Sequence, residues 1–479
     1  MTEPKTLEAG EKNANPGIAA SLKRLLNGGE GHGTQYLIPG ALVTFLFFLW
    51  GFSYGMLDTL NSHFQSVLGI SKLQSTWLQV AYFGAYFVMG FPLWPPAGHI
   101  MQRFGYKKGI IFGLCLFVIG AICFYPAAIS LQYGAFVGCL FVIACGLGTL
   151  ENAANPYITA LGSPRWASFR INAAQAFNGV GTFISPLIAS KAFFGNTDDS
   201  TASTADKLVS VKWAYVGIGC GVFVIMLLFC LAKIPEIDME AEIVEESGEK
   251  KRASMWSPHY LLGIVAQLLY TGAQVSLASF FINFGTDVGG FSKAASSTYL
   301  SYGQIAFTVG RFVGTFLMRF MSSSNLMGIF AVIVTILNIV VVAVPNPNMT
   351  FLLIVIMFFE SIMFPTIFAL ATKDFGRNYK TASSRVVACV CGGAIIPPLQ
   401  GVIAEKRGTQ FSFMLLIFCY AYVVFYSFFG CHWIKYVDVD DRTDLDDIQQ
   451  EVQEKNHREQ PEDSQPVADD VHHDNGKFY

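Results

Sequence analysis

The chain has 479 residues, of which 53% are hydrophobic, 14% aromatic and only 14% charged, where a soluble domain carries roughly 25% charged residues. Forty-three Phe residues are hard to bury in one aqueous core and easy to place against lipid, and a formal net charge of −3 excludes a strongly basic nucleic-acid binder. The composition is that of an all-α integral membrane protein.

In chain order, residues 1–37 are polar and lack an apolar core after a basic start, so they read as a cytoplasmic tail and not as a cleaved signal peptide. A spanning helix needs about 20 mostly apolar residues. Twelve segments meet that: 38–60, 76–100, 109–128, 132–161, 168–194, 211–232, 258–283, 295–318, 326–345, 350–372, 383–404 and 410–434. The connection 233–257 divides them into a first six-helix bundle, 38–232, and a second, 258–434. Residues 435–479 are acidic and poor in apolar side chains, and they read as a disordered cytoplasmic tail. With the N-terminus inside, one face collects Arg103, Lys107, Lys108, Arg165, Arg319, Lys373, Arg377, Lys380 and Lys435, while the other collects fewer basic residues. Both termini are therefore expected in the cytoplasm. The plasma membrane is the expected location, and a monomer the expected state. The ten Cys residues lie almost wholly inside apolar runs and read as small apolar side chains, so no metal and no cofactor is expected.

Ionisable residues within these runs point to function, because a charge near the bilayer centre costs about 2.5–3.5 kcal/mol even on insertion scales. Asp58 interrupts the first run, Glu151 the fourth and Glu360 the tenth. Such residues face a protein interior or a watery cavity. Glu151, beside Asn152 and Asn155, is the candidate to carry a proton, with Asp58 as its partner in binding or gating. Glu360 has two readings: a substrate-facing acid, or a structural one paired with Arg311 or a helix end. Asn172, Gln175 and Asn178 recur every three residues, hence on one helix face that must be internal. Gln267 and Gln274 are seven apart and share a face of the seventh span. Amides offer donor and acceptor to hydroxyl groups without net charge, which suits a sugar. Trp50, Phe52, Tyr54 and Tyr157 would supply flat surfaces for a sugar ring, or simply pack.

Particular stretches carry a resemblance. Gly98-His-Ile-Met-Gln-Arg103-Phe-Gly105-Tyr-Lys107-Lys108-Gly109 resembles the loop signature of the major facilitator superfamily, with Gln102 where many members carry Asp. A weaker echo, Gly310-Arg311-Phe-Val-Gly314 with Arg319, reads as the matching loop after the eighth span. Phe47-Phe-Leu-Trp50-Gly-Phe with Asp58, Gly146-Leu-Gly-Thr-Leu-Glu151-Asn-Ala-Ala-Asn155-Pro156-Tyr157, Phe169-Arg170-Ile-Asn172-Ala-Ala-Gln175-Ala-Phe-Asn178 and Phe364-Pro365-Thr366-Ile-Phe-Ala-Leu370 are together similar to the fucose:proton symporter family, which includes L-fucose and glucose/galactose permeases. The resemblance implies the major facilitator fold of two six-helix bundles. It also implies Asp58 and Glu151 in proton coupling and sugar binding, and Gln175 and Asn178 lining the cavity. Trp50, Asn155, Gln267, Gln274 and Glu360 complete the expected substrate site. Ser53-Tyr54-Gly55-Met56 stands where the L-fucose permeases are rich in Asn, so this side of the pocket is expected to differ.

The resulting expectation is a secondary transporter that moves a hexose or deoxyhexose with a proton, with sugar, protons and lipid as its partners. A proton-coupled exporter of a small polar metabolite is the alternative. A nutrient sensor would need a long signalling tail. An enzyme would need a metal cluster, a nucleophile with a placed base, or a phosphate-binding Gly-Lys motif, and none is present in the sequence.

Overall fold

The computed structural model describes residues 37–68, 72–90, 96–130, 132–161, 164–194, 204–232, 234 and 251–438. The first half contains α1 (Leu37–Leu68), α2 (Lys72–Met89), α3 (Pro96–Ser130), α4 (Tyr133–Ala160), α5 (Ala167–Phe194) and α6 (Thr204–Leu231). The second contains α7 (Pro258–Asp287), α8 (Lys293–Leu317) and α9 (Ser323–Ala343), followed by three interrupted spans. The tenth span is α10 (Met349–Glu360) and α11 (Met363–Ala371), and the eleventh is α12 (Tyr379–Ala388) and α13 (Gly392–Arg407) around a 3-10 turn. The twelfth is α14 (Thr409–Ser412) and α15 (Met414–Phe428).

Among the described residues, nine spans are long and apolar enough to cross a membrane by composition alone. The remaining helices are informative. In α2 the apolar part, Trp77–Met89, is short. By contrast, α5 and α8 are long but carry Arg170, Asn172, Gln175, Asn178, Gln304 and Arg311, and most of these are buried. Polar helices of this kind are stable in lipid only with their polar face turned into the bundle.

The second expected span, 76–100, is divided between α2 and the start of α3, and Gly105 makes the turn inside α3 with φ 85. That left-handed conformation is open to glycine at no steric cost, which fits its place in the expected loop signature. Helix crossings rest on glycine as well. A Cβ on Gly51 of α1 would lie 1.9 Å from the Asn178 carbonyl oxygen, and one on Gly181 of α5 would lie 2.3 Å from that of Phe48. The second half repeats the device between α7 and α13, where a Cβ on Gly392 would lie 2.0 Å from the Leu268 carbonyl oxygen. Matching crossings at matching helices are what two related bundles produce.

One end of the molecule carries a short antiparallel sheet, β1 (Lys251–Ala253) with β2 (Tyr436–Asp438), in the register Lys251↔Asp438 and Ala253↔Tyr436. Asp374, between α11 and α12, fastens the sheet: its carbonyl accepts from Ala253 N at 2.6 Å, and its carboxylate accepts from Tyr436 Oη at 2.9 Å. This end is called the tail face below.

The glycine crossing is testable. Gly51→Ala forces a methyl group into backbone, and overpacking of this kind costs about 1–3 kcal/mol. Thermal unfolding of the purified protein in detergent should show a clearly lowered midpoint for Gly51→Ala. Gly138→Ala, with nothing within 4 Å of the added carbon, should match wild type.

Candidate functional site

The break in the tenth span organises the site. Ending α10 at Glu360 and restarting at Met363 frees carbonyl groups that lipid cannot satisfy. Tyr270 Oη of α7 donates to the Glu360 carbonyl at 2.7 Å, and Arg311 Nε of α8 donates to the Ser361 carbonyl at 3.0 Å.

From there Arg311 reaches into the first half. Its Nη1 donates to the carbonyl and side-chain oxygens of Gln175, at 2.6 and 3.1 Å, and to Asn178 Oδ1 at 3.0 Å. The guanidinium lies 4.6 Å from the centroid of the Phe307 ring. The side chain is buried, and among the described residues its hydrogen-bond partners are all neutral oxygens. Glu151 and Glu360, one from each half, stand within its electrostatic reach.

Both acids are buried. Glu151 Oε1 accepts from Asn155 Nδ2, one turn further along α4, at 3.1 Å, and Oε2 has no partner among the described residues. Glu360 Oε2 accepts from Tyr420 Oη of α15 at 2.6 Å, and Oε1 has no partner among the described residues. Glu360 closes α10, and its carboxylate contacts Tyr420 rather than Arg311.

Between the halves lies a cavity lined by residues of both. Of the residues expected at the site, Trp50, Asn178, Gln274 and Glu360 line it. Glu151, Asn155, Gln175 and Gln267 are buried but stand outside its lining. Neither amide atom of Gln267 has a protein partner. Asp58 falls on α1, and its side chain lies outside the described residues. Among the aromatics, Trp50 and Tyr54 line the cavity. Trp50 Nε1 donates to Tyr86 Oη, and its ring stands 6.2 Å from that of Phe364. Phe52 stacks on Phe48, and Tyr157 packs edge-on to Tyr106.

The sequence reading of Gly310–Gly314 needs correcting. The segment is not a loop: it lies inside α8, which continues to Leu317. A Cβ on Gly310 would lie 2.3 Å from the Phe358 carbonyl oxygen, so the glycine spacing serves close helix packing and brings Arg311 to the core. Arg311 lines the cavity, and its signal was present as a lone cation within an apolar run. Gln304, Thr182 and Thr271 also line it, without any sequence feature that separates them from other polar helix residues.

Toward the tail face the halves are joined by hydrogen bonds. Gln102 Nε2 donates to Thr381 Oγ1, Lys380 Nζ donates to the Met101 carbonyl at 3.3 Å, the hydroxyls of Thr159 and Tyr379 meet, and Asn172 Nδ2 donates to Thr366 Oγ1 at 3.1 Å.

A sequence profile described as Major Facilitator Superfamily matches residues 43–398. The chain belongs to that superfamily. It is a multi-pass membrane transporter, not an enzyme, in the branch of the fucose:proton symporters and glucose/galactose transporters. It is 35% identical over 392 residues to a glucose/galactose transporter of Brucella abortus, covering 81% of this chain and 93% of that protein. To the L-fucose-proton symporter of Escherichia coli it is 31% identical over 411 residues, covering 82% and 93%. The crystal structure of the superfamily transporter FucP in the outward conformation superposes with a TM-score of 0.72 at 29% identity, over 83% of this chain and 99% of that one.

The lining predicts a labelling pattern along α5. In a background without reactive thiols, single Cys replacements at Asn178 and Thr182 should react with a membrane-impermeant thiol reagent several-fold faster than replacements at Asn172 and Gln175, which stand outside the cavity. Equal reaction at all four positions would show that the cavity is not where the helix faces water.

Proposed function

We propose that this transporter carries a hexose or deoxyhexose inward by proton symport, through alternating access. The observation that carries the reading is one cavity that combines amides and aromatic faces with a carboxylate, Glu360, that contacts no cation among the described residues. Asn178, Gln274 and Gln304 offer both donors and acceptors to hydroxyls, while Trp50 and Tyr54 offer flat surfaces to a sugar ring. Relatives named for glucose, galactose and L-fucose support the substrate class. Proton coupling draws support from Glu151, buried with one oxygen lacking a protein partner, and from the proton symport in the name of a relative.

The tail face is proposed to be cytoplasmic, since Arg103, Lys107, Lys108, Arg165, Arg319, Lys373 and Lys380 gather there, as positive-inside orientation requires. The hydrogen bonds on that face would then close the inner gate, consistent with the similarity to an outward conformation. Alternating access requires these contacts to break while the opposite end of the two halves closes.

The test is radiolabelled uptake of D-glucose, D-galactose and L-fucose in intact yeast cells that lack their own sugar carriers, at two pH values, with and without an uncoupler. Wild type should accumulate at least one sugar, more at acid pH, and lose that accumulation with uncoupler. Outward movement alone would favour the exporter. Glu151→Gln should sharply lower accumulation and retain sugar exchange, because a proton site is removed while the cavity lining stays intact. Asp58→Asn should lower transport by about tenfold or more, equivalent to ~1.4 kcal/mol, at unchanged protein level. Unaltered kinetics in that variant would assign Asp58 to structure.

A further inference from the structure

Glu360 has a setting that suits two protonation states. A permanently ionised carboxylate buried among helices needs a contacting cation or several donors to offset its lost hydration. Glu360 receives one hydrogen bond, from Tyr420 Oη at 2.6 Å. A permanently neutral acid needs an acceptor for its proton. The Tyr420 hydroxyl serves in either case, since a phenol donates to a carboxylate and accepts from a carboxylic acid. The other oxygen, Oε1, has no partner among the described residues, and the residue lines the cavity. A proton arriving through cavity water therefore has a place to bind without any protein hydrogen bond being broken.

The surrounding groups can be named helix by helix. Tyr270 of α7 donates to the Glu360 carbonyl, Arg311 of α8 lies within electrostatic reach, and Tyr420 of α15 contacts the carboxylate with Cys419 beside it in sequence. Beyond Arg311 stands Glu151 of α4. Two acids, one in each half, thus act on a single cation whose hydrogen bonds bridge the halves.

Resting on the proton-coupled reading above, we propose that Glu360 is a second proton-carrying carboxylate of the transport cycle, and that Arg311 is the cation whose charge it shares with Glu151. The proton is taken from water on one side of the membrane, forms an O–H bond on Glu360, and leaves to water on the other side. With both acids ionised the trio has net charge of about −1, and with one protonated it is neutral. The cation's balance between the halves therefore follows the protons.

The experiment compares wild type, Glu360→Gln, Glu360→Asp and Tyr420→Phe in proteoliposomes, reading labelled D-glucose, D-galactose or L-fucose together with a trapped pH dye. Glu360→Gln should lower protons per sugar from about two to about one, whereas Glu360→Asp and Tyr420→Phe keep the wild-type ratio. An unchanged ratio in Glu360→Gln overturns the proposal, as does one that falls equally in Tyr420→Phe. A second readout needs no sugar: the infrared C=O stretch of protonated carboxyl groups, followed across pH in purified protein. Its titrating amplitude should fall in Glu360→Gln and persist in Glu360→Asp, and an unchanged band overturns the proposal. Loss of all sugar movement in wild type would sink the sugar reading, and the infrared result would still decide Glu360.

Discussion

A guanidinium buried among membrane helices has to be surrounded by oxygen, and the described residues that hold Arg311 do so with neutral oxygen. Its hydrogen-bond partners are the carbonyls of Gln175 and Ser361 and the amides of Gln175 and Asn178. They come from α5 and from the break in the tenth span, so satisfying one charge requires both halves to be in register. Carboxylates in direct contact would neutralise the charge more strongly, and would also make the bridge harder to release. Hydrogen bonds from an arginine to neutral acceptors contribute about 1.5–3 kcal/mol each at most. That is enough to favour one arrangement of the halves, and small enough to be exchanged for another.

The other constraint is closeness of backbone. α1 meets α5, and α7 meets α13, at distances that leave no room for a Cβ on Gly51, Gly181 or Gly392. Within each half these crossings make a rigid body. Between the halves, hydrogen bonds other than those of Arg311 involve side chains such as Gln102, Thr381, Thr159, Tyr379 and Lys380, and at Gly90 the chain also comes close to the Ser384 carbonyl. Contacts of this kind can be exchanged without disturbing the glycine crossings inside each half.

Much of this was legible in the chain. Twelve apolar runs could be counted because lipid demands length and hydrophobicity, and α5 was recognisable as internal because its amides recur at helical spacing. Depth was not legible. Gln267 and Gln274 share a helix face, yet only Gln274 reaches the cavity, since a helical wheel fixes direction and not height along the cavity. The partner of Glu360 was hidden too, because Tyr420 lies two spans further along the chain and no periodicity links them. Arg311 was misplaced because an arginine between glycines reads equally well as a basic loop and as a close helix crossing, and only the packed neighbour distinguishes them.

The polarity of α5 and α8 bears on biogenesis. Apolar spans can partition into lipid as they emerge from the ribosome, but α8 carries an arginine with four oxygen acceptors, three on α5 and one at Ser361. Ser361 is synthesised fifty residues after Arg311. During that interval the cation lacks an acceptor it has in the finished protein, so release of α8 as a lone helix is disfavoured. Retention of α8 beside the insertion machinery or against α5 until the tenth span follows would let the second half assemble as a group, with its two most polar boundaries already facing each other.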